Sequence, residues 1–299
     1  LPLPFAPDSP DLAAITQPPF SGTHWLGTDP MGRDSLAGLV FGARTVSLIS
    51  VPAALIATLL GTLLGCLAGY WGNNRLRLPA TIVLISAGTG LFWASFTGTA
   101  WWLGWATGLV VLGLWLGARR LGLQARPSSW PVPFDRLVLL LVAFLSSVPR
   151  LVLVLALAAL QPPSAPMLLL VLALTFWPAT AQLVRADMQH ISQLPYIEAA
   201  RALGLSDWRI ITRHALPVIW KTVRATLPLS VATLLGLETT LSFLGVGLPP
   251  ETASWGRMLA TARLEPTAWW LIAVPATAIL FTTLALRQLI LIGRLEAAN

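Results

Sequence analysis

Residues 45–69 read TVSLISVPAALIATLLGTLLGCLAG, a run without a charged side chain. As a helix it is long enough to cross the hydrocarbon of a bilayer, which takes about 20 residues. Six further segments are long and apolar enough to do the same, at 79–97, 99–117, 137–160, 166–184, 223–247 and 269–292. The 299-residue chain is 56% hydrophobic and only 10% Asp, Glu, Lys or Arg, where a soluble domain carries about 25% charged residues. With a mean hydropathy of +0.74, so little charge cannot cover a water-facing surface. The composition predicts an all-α, polytopic membrane helical bundle of about seven spans. It excludes a soluble enzyme, a disordered tail and a secreted disulfide scaffold.

The net charge of +7 is read by position. One row of connections holds Arg75 and Arg77; Arg119, Arg120, Arg126 and Arg136; the arginines of 185–224 with Lys221; and Arg287 and Arg294. The alternate row holds only Arg33, Arg44, Arg257 and Arg263. The positive-inside rule makes the first row cytoplasmic. It places 1–44 outside, and the 185–222 loop and the C-terminus inside. No role with nucleic acid is expected from this basicity. The single cysteine, Cys66, lies in an apolar run as a small packing residue, so no internal disulfide or thiolate cluster can form. The opening LPLPFAPDSPDLAAITQPPF has neither a basic n-region nor an apolar h-region, so it does not read as a signal peptide.

Chemistry is sparse. His24, His190 and His214 are dispersed, and no HExxH or paired-carboxylate arrangement occurs, so neither catalytic nor metal-ligating residues are assigned. There is no GxxxxGK[ST] loop either, and Lys221 is the one lysine. If ATP drives this protein, another subunit hydrolyses it. The loop from Tyr196 to Pro217, YIEAARALGLSDWRIITRHALP, carries more information. EAARAL favours helix, Gly204 suits a left-handed helix end, and Ser206-Asp207 offers an N-cap for a second helix, WRIITRHAL, that stops before Pro217. On physical grounds this elbow is equally a compact knob or an amphipathic hairpin lying on the headgroups.

Glu198-Ala199-Ala200, Gly204, His214 and Leu216-Pro217 have the spacing of the EAA motif. On them the chain resembles the permease subunits of ABC importers, in particular the dipeptide, oligopeptide and nickel branch. HWLGTDPMGRDS at 24–35, SFLGVGLPPETASWG at 242–256 and the Trp177-Pro178 segment are similar to that family in order and spacing, and the likeness covers about 20–73 and 134–296. The resemblance implies a type I importer permease fold: an external segment 1–44, then a transmembrane domain 45–299 with a coupling loop at 185–222. It also implies a bacterial inner-membrane location, a homologous second permease subunit and two ATPase subunits or domains. ATP and magnesium would bind those ATPases and no cofactor would bind this chain. An external substrate-binding protein would dock near 24–44 and 245–263. In this reading Glu198 meets a basic group of the ATPase, Gly204 forms the elbow, and Leu216-Pro217 is the hydrophobic seat. Gly27, Thr28, Asp29, Gly32, Arg33 and Asp34 belong to the external docking segment.

The chain departs from the pattern in three places. About 75–133 reads as a two-helix insertion rich in tryptophan (Trp93, Trp101, Trp102, Trp105, Trp115), suited to lipid-facing packing or to a gate or extra-subunit dock. The span that family members carry ahead of the GTD segment is missing, as if the chain were truncated. The family's C-terminal ending is only partly kept, as ILIGRLEAAN. Arg150, Glu238 and Trp177 lie within spans, where a charge costs about 2.5–3.5 kcal/mol at a helix centre. All three are assigned to the pathway or to helix packing, and no sequence feature supports a Glu238–Arg150 pair. Pro52, Pro149, Pro178, Pro228 and Pro275 are expected to kink their helices. The rival readings are an ATP-independent channel or secondary transporter, for which no clear inverted repeat is visible, and a membrane scaffold.

Overall fold

The computed structural model describes residues 9–73, 77–79, 129–131, 133–159 and 162–298. Its elements are α1 (Ser35–Trp71), β1 (Arg77–Pro79), β2 (Ser129–Pro131), α2 (Phe134–Ser147), α3 (Arg150–Ala159) and α4 (Ala165–Ile191). There follow α5 (Pro195–Ala202), α6 (Asp207–Ile210), a π turn (Ile211–Ala215), α7 (Leu216–Phe243), α8 (Trp255–Thr261) and α9 (Trp270–Ala298). The chain forms two compact units, Leu1–Tyr70 with Leu140–Asn299, and Trp71–Leu139.

In the smaller unit β1 and β2 pair antiparallel, with Leu78 opposite Trp130. Trp71 meets Phe134 edge to face at 6.2 Å. The expected spans at 79–97 and 99–117 lie outside the described residues.

The larger unit is helical and polytopic. Four helical runs are long and apolar enough to cross a membrane: 35–71, 165–191, 207–243 and 270–289. The expected span at 137–160 is instead a pair of helices, α2 and α3, bent by 83°. The break falls at Pro149, whose missing N–H and ring disfavour continuing the helix without by themselves forbidding it, and Leu153 N–H donates to the Pro149 carbonyl as α3 begins. Pro52, Pro178, Pro228 and Pro275 remain inside continuous helices.

Another expectation is overturned at Pro217. The second elbow helix does not stop before it but runs through the π turn into α7 as one helical stretch from Asp207 to Phe243. A proline inside an α-helix lacks a donor and presses on the carbonyl four residues back, here that of Arg213. The wider π turn at 211–215 accommodates that defect without breaking the helix.

The core joins α1 (Ile49, Ala53, Ala57) to Val154, to Leu168, Leu172 and Phe176 of α4, and to Val231, Leu234 and Leu241 of α7. Between α1 and α4 the contact is backbone to backbone. A Cβ added at Gly61 would lie 2.6 Å from the Trp177 carbonyl oxygen, at Gly65 2.5 Å from that of Ala181, and at Gly69 2.6 Å from that of Arg185. Each step of four residues on one helix matches four on the other in the same direction, so the two helices run parallel in a small-residue seam. Leu48, Leu55, Leu59 and Leu63 face away from the chain.

The seam predicts that Gly65→Ala destabilises the chain in detergent by about 1–3 kcal/mol, because the new methyl meets main chain that cannot rotate aside. Gly236→Ala, whose Cβ meets nothing within 4 Å, should change stability by less than about 1 kcal/mol. Thermal unfolding of the two variants side by side checks this, and equal melting temperatures would refute the seam.

Candidate functional site

The elbow is built from α5 and α6. Pro195 opens α5 at a position that needs no N–H, Glu198 lies in its first turn and Arg201 in its last, each favourable to the helix dipole. The helix ends in a Schellman turn: Gly204 has φ +76°, its N–H donates to the Arg201 carbonyl at 2.9 Å, and Leu205 N–H donates to Ala200 at 3.2 Å. Ser206 is the N-cap of α6, but its side chain makes no capping bond. Asp207 is engaged elsewhere. Its Oδ1 accepts a 2.7 Å hydrogen bond from the hydroxyl of Tyr70, at the last turn of α1, and the Arg201 guanidinium stacks 5.1 Å from the centre of the Tyr70 ring. Tyr70 therefore ties both halves of the elbow to α1. At its base, Thr222 of α7 donates to Asp187 of α4.

Glu198 and Ala199 are exposed, Ala200 and Ile197 are buried, His214 and Leu216 are half-buried and Pro217 is exposed. Leu203 (81% exposed) and Trp208 (65%) stand beside Gly204, where they present large apolar surface that the chain itself does not cover.

The GTD segment lies at the opposite end of α1. Gly27 and Gly32 both have φ +76°, and a Cβ on either would strike main chain, the Gln17 carbonyl at 2.5 Å and that of Asp11 at 2.3 Å. Thr28 donates to the Ala14 carbonyl at 2.5 Å, and Asp29 Oδ1 accepts from the backbone of Met31 and Arg33, each at 2.8 Å. Asp34 caps α1 through the Ala37 N–H at 2.8 Å, and its other oxygen is 3.0 Å from Nδ1 of the buried His24. Of the six residues assigned to docking, Arg33 alone is half-exposed. Gly27, Thr28, Asp29, Gly32 and Asp34 are buried and hold the segment in shape, while Trp25 and Met31 are what it presents outward.

Beside this segment α7 ends in a second Schellman turn, at Gly245 with φ +78°. The chain then returns through α8, where Trp255 Nε1 donates to the Leu39 carbonyl at 2.9 Å and Gly42 clears its ring. Burial, then the charge of Arg33, lower the pKa of Arg257, opposed by Glu251.

Of the three residues assigned to pathway or packing, Trp177 is buried and its carbonyl forms part of the glycine seam. Glu238 is fully buried in α7 and accepts from Ser242 at 2.8 Å. Arg150 is exposed, 5.2 Å from the centre of the Phe176 ring. Among the described residues the two charges form no pair, and no group of three His, Cys, Asp or Glu side chains is arranged to hold a metal.

Sequence reasoning missed Tyr70, Leu203, Trp208 and the glycine seam. GTLLGCLAG shows the seam's four-residue repeat openly. Tyr70 carried no local signal, since Asp207 is 137 residues away.

Long apolar helices packed into one bundle, with an elbow at one end and a folded cap at the other, define a multi-pass membrane protein. The sequence pattern described as "Binding-protein-dependent transport system inner membrane component" matches residues 110–293, and the chain belongs to that family. The match begins inside the segment read as an insertion. A protein of Brucella suis named as a peptide transport system permease protein is 36% identical over 186 residues, 62% of this chain and 61% of the relative. The chain thus spans about three fifths of that relative's length. The oligopeptide transport system permease protein OppC of Mycobacterium bovis is 28% identical over 279 residues, 92% of this chain and 75% of the relative. The glutathione transport system permease protein GsiD of Pectobacterium atrosepticum is 27% identical over 270 residues, 90% and 70% respectively.

Tyr70→Phe keeps the ring beneath Arg201 and removes the hydroxyl. It should cost about 0.5–1.5 kcal/mol and accelerate amide exchange across 195–210, read by hydrogen–deuterium exchange in nanodiscs. Unchanged exchange would mean that α4 and α7 alone hold the elbow.

Proposed function

We propose that the chain is the membrane-spanning permease subunit of an ATP-driven importer in a bacterial inner membrane. It forms half of a pathway for peptides or a related small solute, beside a homologous second permease subunit. The 195–217 elbow is its contact with a separate ATPase pair that binds ATP and magnesium. The residues at 24–44 and 245–263 form its outer face toward a substrate-binding protein, and the C-terminus is cytosolic. The observation that carries this reading is the form of the elbow. It is closed by a left-handed glycine, pinned to α1, continuous with α7, and exposes Glu198 with Leu203 and Trp208. An apolar knob that exposes Glu198 together with Arg209 and Arg213 is suited to a cleft whose rim offers charges of both signs, with a basic group opposite Glu198. The names of the relatives support the solute class, and the family membership supports a partner that supplies the energy. When the ATPases close on ATP, knobs so mounted would move their helices together and open the pathway outward.

Co-purification with candidate ATPase subunits, followed by substrate-stimulated ATP turnover in liposomes, tests this. Glu198→Arg should weaken ATPase association by about tenfold, the scale of one lost charge-assisted contact. Gly204→Pro, which removes the N–H bonded to Arg201 and cannot adopt φ +76°, should abolish coupling while the chain still inserts. Solute flux that persists without ATP, in a chain that recruits no ATPase, would overturn the reading in favour of a channel or secondary transporter.

A further inference from the structure

The GTD segment and the stretch from Ser242 to Leu271 line a half-open cavity of about 550 Å³, a volume in the range of small-molecule sites, roughly 300–1,000 Å³. Arg33, Arg257 and Arg263 line it, as do Asp29, Asp34 and Glu251. Equal numbers suggest pairing, yet among the described residues no carboxylate lies within ion-pair distance of any of these guanidiniums. Asp29 and Asp34 are turned to backbone N–H groups of their own loop and helix start, and Asp34 also faces His24. Arg263 is turned aside, donating to the Phe243 carbonyl at 3.3 Å with its guanidinium 3.8 Å from the centre of that ring. Arg257 spends one nitrogen on the Pro249 carbonyl, and the Arg33 side chain has no partner among the described residues. Two like charges thus share a partly buried pocket: burial first, and then the charge of Arg33, lower the pKa of Arg257, while the exposed Glu251 acts in the opposite sense without forming an ion pair. The remaining wall includes Met31, Met258, Leu264 and Leu271.

We propose that Arg33 and Arg257 form the anion end of a binding site for a small organic carboxylate, with the methionine and leucine wall taking its apolar body. Guanidiniums match the planar carboxylate and provide several donors at fixed angles, so an anion held between them relieves their repulsion. A bare inorganic anion would leave the apolar wall unused. The inference rests on the permease reading only for the side from which the ligand arrives, because binding itself needs no ATPase. An elbow variant that loses coupling would leave it intact.

The test uses the full chain in phosphatidylcholine nanodiscs at low salt, titrated with N-acetyl-leucine, with its uncharged amide and with inorganic phosphate, and read by saturation-transfer NMR. N-acetyl-leucine should bind saturably, with the amide weaker by about tenfold. Arg33→Gln should weaken the acid by a similar factor and leave the melting temperature unchanged, because the Arg33 guanidinium holds nothing else in the fold. Arg209→Gln, on the elbow, should have no effect. Equal binding of acid and amide, or indifference to Arg33→Gln, overturns the site. Phosphate binding as tightly as N-acetyl-leucine overturns the assignment of an organic ligand. No saturable binding to the chain alone also overturns it and leaves the cavity to an acidic side chain of a docked protein.

Discussion

Inside hydrocarbon no water competes for apolar surface, so helices gain little by burying one leucine against another and associate through close packing instead. Gly61, Gly65 and Gly69 let the main chains of α1 and α4 meet over three turns, each glycine set against a carbonyl of the neighbour. The rest of the larger unit is arranged around that seam. It fixes α4 directly, and α7 reaches both helices through the shared cluster of Ile49, Leu172 and Leu234. A Cβ at any of the three would lie 2.5–2.6 Å from a carbonyl oxygen of α4, so the helices could not keep this distance.

Much of this was legible in the sequence, for reasons that differ from one element to the next. Long apolar runs with few charges have one stable form in a membrane, so α1, α4, α7 and α9 follow from composition. The Gly204 turn was legible because a left-handed helix end is a local need that glycine meets at little cost. The bend at Pro149 was harder. Pro52, Pro178, Pro228 and Pro275 have the same local chemistry and stay within continuous helices, so the difference lies in tertiary support that the sequence does not display. The Tyr70–Asp207 bond is a pairing of distant segments, and Asp207 read alone is an ordinary acidic residue beside an N-cap. At the other end, the aspartates of the GTD segment read as polar groups free to meet a partner. Their oxygens are in fact consumed by their own backbone, which leaves the arginines as the groups with unspent donors.

Both ends of α1 are anchored. At the GTD end Asp34 caps its first turn, and Trp255 of α8 donates to Leu39 across Gly42. At the elbow end Tyr70 meets Asp207 and Arg201. Between them the seam holds it to α4. A helix held at three places along its length has little freedom to slide or tilt independently of its neighbours. Displacement of the elbow would therefore either be carried by α1 or strain the Tyr70 contact.

The two arms of the elbow are joined to the membrane helices in different ways, and this asymmetry bears on how force would pass through it. On one side α4 ends at Ile191, and Ser192, Gln193 and Leu194 turn the chain into α5. On the other side there is no turn, because α6 passes through the π turn into α7 without leaving helical geometry. A π turn is a single-turn bulge within α-helix, and this one lies where the helix has to accommodate Pro217. Rotation of the elbow would thus pass into α7 along continuous helix, whereas on the α4 side it would pass through the turn at 192–194, whose N–H groups donate to the carbonyls of Met188, His190 and Ile191. The two Schellman bonds, from the N–H groups of Gly204 and Leu205, close the corner of the knob.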